Sequence, residues 1–167
     1  FFMHGNRDFL VGRACLDACG VTLLDDPTVL QFAGQRWLLS HGDALCLDDV
    51  DYLQFRAVVR SPQWQHEFLA KPLAERQQIA RGIRSQSESR KRSGAVYADV
   101  DTTAAIAWLE TAQARTLVHG HTHRPARHDL GHGLQRWVMT DWDASAQPAR
   151  GEWLILSASG VQRIPLA

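Results

Sequence analysis

Three histidines lie within five residues in the segment 119–125, which reads HGHTHRP. The largely apolar residues 116–118 come directly before it, which predicts a strand that runs into a metal-binding loop. Neutral imidazole is the commonest nitrogen ligand of first-row transition metals, and side chains at positions i and i+2 of an extended segment point the same way. We therefore expect two of these rings to converge on one or two metal ions. The alternative is a structural loop with one exposed and two hydrogen-bonded histidines.

Two further polar loops follow apolar segments of the chain. The residues GNRD at 5–8 follow the apolar start 1–3, and SHGD at 40–43 follows the apolar run 37–39. Loops at the carboxyl ends of strands meet in one crevice of an α/β protein. Oxygen and imidazole ligands suit Mn²⁺, Fe²⁺ or Zn²⁺, and a set without thiolate argues against a structural zinc site. The candidate metal ligands are Asn6, His41, His121 and His123.

The strings GNRDFL at 5–10, HGDALCLDD at 41–49 and HGHTHRP at 119–125 resemble the calcineurin-like metallophosphoesterases, and among them the UDP-2,3-diacylglucosamine hydrolase family. The resemblance implies an α/β calcineurin-like sandwich and two divalent metal ions, with Mn²⁺ expected. It assigns one metal to Asn6, His41 and His121, and the other to His123. The family's opening Asp-x-His and Gly-Asp blocks have no counterpart here. We therefore expect a partial sandwich that lacks its first strands, and a chain that is inactive without the missing ligands.

Arg7 stands where most of this superfamily has a histidine that protonates a departing alkoxide. A guanidinium binds phosphate but donates no proton in catalysis, which fits a phosphate leaving group whose second pKa is about 6. The resemblance thus implies hydrolysis of the pyrophosphate bond of UDP-2,3-diacylglucosamine, giving UMP and 2,3-diacylglucosamine 1-phosphate in lipid A biosynthesis. A metal-activated water would attack, with no side-chain nucleophile. The implied substrate-binding residues are Asn6, Arg7, Asp49, Ser87, Lys91 and His121.

The first fifty residues combine helix and strand patterns. Residues 9–19, closed by Gly20, predict a helix on which Cys15 and Cys19 are reduced and packed in the core. Short strands are expected at 21–24, 29–32 and 37–40, with turns at 25–27 and 34–35.

From residue 48 to 92 the apolar positions change to helical spacing, which predicts a helical lid inserted into a single domain of residues 1–167. A last helix is expected over 101–114, capped by Asp99 or Asp101.

The lid has an excess of positive charge. Between Arg56 and Arg92, nine Lys or Arg accompany three acidic residues, although the whole chain is formally neutral. The plain interpretation is a solvated amphipathic surface. Beside a phosphoesterase site, the same charge predicts a nucleotide-sugar lipid substrate and attachment to an anionic membrane surface. We expect a cytoplasmic enzyme that is peripheral on the bacterial inner membrane, with no nucleic acid and no protein partner.

The composition is typical of a globular protein. The chain has 167 residues, of which 45% are hydrophobic, enough to bury one core, and no apolar run has the length of a membrane span. Two alternatives remain open. One is another metallophosphoesterase, either a phosphodiesterase or a nucleotide pyrophosphatase. The other is a non-catalytic fragment that binds lipid or nucleic acid through the basic helices.

Overall fold

The computed structural model describes residues 1–92 and 98–166, and for residues 86–88 and 90–92 only the helical backbone. The chain divides into two compact units, one formed by Phe1–Asp48 with Asp99–Ala167 and the other by Asp49–Ala98. In the described part, nine strands and five α-helices give a mixed α/β protein with a mixed central sheet. None of the described helices combines the length and the apolar content of a membrane-spanning segment.

The first unit is built on a five-stranded sheet in the order β3-β4-β5-β7-β6. Its strands are β3 (Thr28–Phe32), β4 (Gln35–Ser40), β5 (Thr116–His119), β6 (Ala126–Gly131) and β7 (Leu134–Val138). The pairs β4–β5 and β5–β7 are parallel, while β3–β4 and β6–β7 are antiparallel hairpins. All four residues of β5 are buried, as expected for a central parallel strand.

Two smaller sheets complete this unit. β1 (Phe2–Met3) pairs in parallel with β2 (Leu23–Leu24), and β8 (Glu152–Ser157) pairs antiparallel with β9 (Gly160–Pro165). Helix α5 (Thr102–Thr111) precedes β5 and buries Ala105 and Leu109. The core contains fully buried apolar side chains of β4, α5, β5 and β7: Trp37, Leu38, Leu109, Leu117 and Val138.

The second unit contains three helices, α2 (Val50–Val59), α3 (Pro62–Leu69) and α4 (Leu73–Arg92). They fall where the helical spacing of apolar residues predicts them. Asp49 caps α2 by accepting a hydrogen bond from the Tyr52 N–H, and Ser61 caps α3 in the same way. Inside α3, Trp64 stacks on Phe68 with the ring centroids 4.8 Å apart.

Several sequence-based boundaries were wrong. The helix predicted over 9–19 is confined to α1 (Arg13–Ala18), because Gly12 is extended and the residues before it form turns. Cys15 and Cys19 are exposed rather than packed in the core. The strand predicted at 21–24 is only Leu23–Leu24, and the turn expected at 34–35 lies at residues 33–34, whose positive φ angles close a two-residue hairpin.

Asp99 and Asp101 were the two residues predicted to cap the start of α5. The Asp101 carboxylate accepts a hydrogen bond from the Ala104 N–H at 2.7 Å, so Asp101 is the cap. Asp99 instead pairs with Arg136 on β7.

Candidate active site

The candidate site begins where two parallel strands end side by side. Ser40, the last residue of β4, is in register with His119, the last residue of β5, so the loops that follow leave the sheet together. The Gly120 N–H donates a hydrogen bond to the His41 carbonyl oxygen at 3.1 Å. The rings of His41 and His121 meet edge to face with centroids 5.1 Å apart. Two imidazoles that are far apart in sequence are therefore neighbours.

The loop after β1 reaches the same place. The Asn6 N–H donates to His41 Nε2 at 3.3 Å, and a Cβ on Gly5 would lie 3.0 Å from His41 Cε1. Glycine at this position lets the backbone approach the ring closely. The Asp8 carboxylate accepts a hydrogen bond from the Gly5 N–H and so orders this loop. Arg7 in the same turn is exposed.

His123 has different surroundings. His121 and His123 have positive φ angles of 61° and 51°, so the expectation of an extended segment with parallel side chains was wrong. Such backbone is uncommon for residues other than glycine and concentrates at functional sites. His123 Nδ1 lies 4.0 Å from Asp141 Oδ2, and its side chain is 55% exposed. The loop therefore turns His121 toward His41 and His123 toward Asp141.

Asp141 is held by Arg150. The guanidinium makes two hydrogen bonds to the Asp141 carboxylate, at 3.1 and 2.9 Å, and a third to Asp143 at 3.2 Å. The hydrogen bond from Arg150 is the main reason that the pKa of Asp141 falls to about 2. Asp141 is thus an anion next to His123 at neutral pH.

Similarity to known proteins identifies the family of this chain. The chain is 49% identical over 168 residues to the UDP-2,3-diacylglucosamine hydrolase of Chromobacterium violaceum, covering 99% of the chain and 69% of that relative. It is 47% identical to the enzyme of that name in Bordetella pertussis, covering 95% and 64%, and 43% identical to that of Pseudomonas entomophila, covering 99% and 68%. This chain belongs to the UDP-2,3-diacylglucosamine hydrolase family.

The chain spans about two thirds of the length of these relatives. No protein-family model matches it. Membership of a hydrolase family confirms the resemblance carried by the three sequence strings.

Sequence reasoning missed Asp26, which it assigned only to a turn. The Asp26 carboxylate accepts hydrogen bonds from Ser40 Oγ at 2.6 Å and from the His41 N–H at 3.2 Å. Ser40 Oγ in turn accepts from the Gly42 N–H at 3.0 Å. The backbone on both sides of the His41 ring is therefore fixed by a residue that comes fourteen or fifteen positions earlier. The only sequence signal was an acidic residue close before the strand.

Sequence reasoning also missed the buried contact between His119 and Arg136. His119 is 1% exposed and Arg136 is 5% exposed, and Arg136 Nη1 lies 3.3 Å from His119 Nε2. Burial, with a smaller contribution from Arg136, lowers the pKa of His119 to about 4, so the ring is neutral. Partial burial raises the pKa of Asp99, but hydrogen bonds from Arg136 and from the Val100 N–H outweigh it, and the pKa lies below its ordinary value.

The remaining predicted substrate residues belong to the second unit. Asp49 belongs to the second unit, where it caps α2 through the Tyr52 N–H at 3.4 Å. The side chains of Ser87 and Lys91 lie outside the described residues.

The site offers imidazole donors to a divalent metal. Among the side chains that the structure describes, no group of three or more His, Cys, Asp or Glu is arranged to hold an ion. His41 and His121 nevertheless offer a converging pair of imidazole donors, with the Asn6 loop against His41. Two imidazoles without thiolate fit Mn²⁺, Fe²⁺ or Zn²⁺. The residues present therefore fit part of a metal site, and the full ligand set needs further donors.

Proposed function

We propose that this protein hydrolyses the pyrophosphate bond of UDP-2,3-diacylglucosamine, giving UMP and 2,3-diacylglucosamine 1-phosphate in lipid A biosynthesis. The observation that carries the proposal is the pairing of His41 and His121 at the carboxyl ends of adjacent parallel strands. The substrate is supported by relatives at 43–49% identity that are named for it.

A finer fold assignment belongs to the same proposal. The chain would be a calcineurin-like metallophosphoesterase sandwich, with residues 1–167 in one domain and a helical lid at about 48–92. Support comes from the parallel strands β4, β5 and β7, which send their loops from one edge of a mixed sheet. The three helices of the second unit support a helical insertion.

The cofactors in this proposal are two divalent ions, with Mn²⁺ expected. Asn6, His41 and His121 would hold one ion and His123 the other. The chemistry that such a pair supplies when bound is polarisation of the phosphoryl group and activation of water for in-line attack. Asp141 would orient His123, since a carboxylate beside an imidazole favours one tautomer and ring position.

Arg7 has its own role in the proposal. It is exposed in the loop that contacts His41, where its guanidinium fork would make paired hydrogen bonds to the diphosphate. The departing UMP or sugar phosphate needs no proton from the protein. Asn6, His121, Asp49, Ser87 and Lys91 are the other proposed substrate contacts.

The helices of the second unit would select the acylated substrate and attach the protein to the cytoplasmic face of the inner membrane. Lys71 forms an ion pair with Glu75, whereas Arg81 and Arg84 are exposed on α4. Exposed basic residues contribute roughly 1 kcal/mol each near an anionic surface, and salt screens them. Binding to anionic vesicles should weaken at high salt and weaken further when Arg81 and Arg84 are replaced by Ser. Salt-independent binding would contradict this attachment.

The decisive experiment measures UMP release from UDP-2,3-diacylglucosamine by the whole protein, with Mn²⁺ and after chelation. His41→Ala and His121→Ala should reduce bound metal and turnover together, by at least about a hundredfold in turnover, because the metal supplies several kcal/mol of transition-state stabilisation. A deacylated UDP-sugar should react far more slowly than the diacylated substrate.

The matched control is His132→Asn. His132 is an exposed histidine in the β6–β7 turn with a φ of 52°, a conformation that Asn tolerates. This variant should keep normal metal content and turnover. If His121→Ala retained wild-type values of both, the site assignment would be wrong. Equal rates on acylated and deacylated substrates would favour a general nucleotide pyrophosphatase.

A further inference from the structure

His119 stands in the histidine motif but has no place among the proposed ligands. Its ring is buried, and Arg136 Nη1 approaches its Nε2 at 3.3 Å. The same guanidinium makes two hydrogen bonds to the Asp99 carboxylate, at 3.3 and 3.1 Å. The three side chains thus form a continuous polar chain from the partly exposed Asp99 to the buried ring.

The strand register brings these groups together. Arg136 on β7 is aligned with Leu117 on β5, two residues before His119, so Arg136 and His119 project from the same face of the sheet. A guanidinium only donates hydrogen bonds, so His119 Nε2 is the acceptor and the ring proton is on Nδ1. Nδ1 lies 3.0 Å from the Gly120 carbonyl oxygen and donates to it. Both nitrogens of the ring are therefore fixed.

The position of this ring affects both histidine loops. A Cβ on Gly42 would lie 2.8 Å from His119 Nδ1, so the ring fills the space directly against the residue after His41. Gly120, whose carbonyl accepts from Nδ1, donates its own N–H to the His41 carbonyl and precedes His121. A change in the tilt of the His119 ring would move the backbone on which both candidate ligands are carried.

We propose that Arg136, oriented by Asp99, is a positioning residue that locks His119 in one tautomer and thereby sets the spacing of His41 and His121. The inference rests on the proposed function, because that function makes the spacing of the two imidazoles important for metal binding. Among the described residues, the side-chain hydrogen bonds of Arg136 go to His119 and Asp99. Its removal should therefore lower metal affinity and kcat while KM changes little.

The test compares Arg136→Met with wild type in the whole protein. ¹⁵N NMR of the metal-free protein at constant neutral pH should show a single Nδ1–H tautomer of His119 in wild type and a mixture in the variant. Mn²⁺ affinity and kcat should each fall by about tenfold, the lower end of the usual effect of losing a group that orients a ligand. Arg136→Lys retains a cationic donor but not the fork, so it should recover part of the loss.

Arg127→Met is the matched control. Arg127 is an exposed arginine on the adjacent strand β6, where it lies over Trp137 rather than near His119. Its replacement should leave the His119 tautomer, Mn²⁺ affinity and kcat unchanged. If Arg136→Met fails to fold, Asp99→Asn takes its place, since it keeps the side-chain shape and weakens only the charge that orients Arg136.

The outcomes separate the two proposals. A folded Arg136→Met protein, or Asp99→Asn in its place, with the wild-type tautomer and Mn²⁺ affinity would overturn the positioning role. A wild-type protein that binds Mn²⁺ but releases no UMP would instead defeat the proposed function. A mixed tautomer with tenfold weaker Mn²⁺ binding in the Arg136 variant, and no change in the Arg127 variant, would establish the role.

Discussion

The two sides of the candidate site differ in how the protein holds their histidines. On the braced side, which comprises His41, His121 and the groups behind them, Asp26 fixes the backbone at His41 and the buried His119 fills the space against Gly42. On the open side, which comprises His123, Asp141 and Arg150, the side chains of His123 and Arg150 are 55% and 50% exposed. The segment 119–125 thus places His121 in constrained surroundings and leaves the side chain of His123 largely exposed to solvent.

Substitutions on the two sides should therefore differ in how they affect stability and function. Buried hydrogen bonds that lose a partner cost about 1–3 kcal/mol each, whereas exposed ion pairs contribute little because water and salt screen them. Changes on the braced side should therefore reduce stability and function together. Changes on the open side should reduce function alone.

The largest expected effect is that of Gly42→Ala on the braced side. Gly42 has a φ of 102°, and an added Cβ would lie 2.8 Å from the His119 ring. The left-handed backbone and the overpacking together should lower the free energy of unfolding by about 3 kcal/mol, measured by urea denaturation of the whole protein. Gly34→Ala, with a φ of 72° and open space around it, isolates the backbone contribution. Gly34→Ala should lower the free energy of unfolding by about 1 kcal/mol. Equal losses for Gly42→Ala and Gly34→Ala would show that the contact with His119 is unimportant.

Arg7→Lys should have an intermediate effect, and only on catalysis. Lysine keeps the charge but loses the fork, so kcat/KM for the pyrophosphate substrate should fall by at least about tenfold, or roughly 1.4 kcal/mol of transition-state binding. The unfolding midpoint should not change, since Arg7 is exposed. Arg13→Lys replaces another exposed arginine near the start of the chain and should leave kcat/KM unchanged. Normal kinetics for Arg7→Lys would place Arg7 outside the site.

The smallest expected effect is that of Arg150→Gln on stability. Arg150 makes three hydrogen bonds to Asp141 and Asp143, but it is half exposed, so the thermal unfolding midpoint should stay close to wild type. Differential scanning calorimetry can measure the unfolding midpoints of Arg150→Gln and Gly42→Ala under the same conditions. A loss as large as that of Gly42→Ala would mean that the open side is braced as well, and the contrast between the two sides would fail.

Much of the fold could be predicted from local patterns. The strands β3, β4 and β5 and the helices between residues 48 and 92 occur where apolar spacing places them. Local patterns failed where a tertiary contact or a turn overrode them. The helix expected from residue 9 begins only at Arg13, after an extended Gly12. Local patterns also could not choose between Asp99 and Asp101 as the cap of α5; Asp101 is the cap, and Asp99 pairs with Arg136 on β7.

For the site, the sequence by itself determined which residue types stand at the ends of the strands and to which family the chain belongs. Only the tertiary structure decided their neighbours. The left-handed backbone at His121 and His123 turns the two rings toward different partners, and the pairing of β4, β5 and β7 brings Arg136 to His119. Composition and spacing describe contacts along the chain. Strand register and loop backbone angles, which arise from packing over the whole sheet, determine contacts across it.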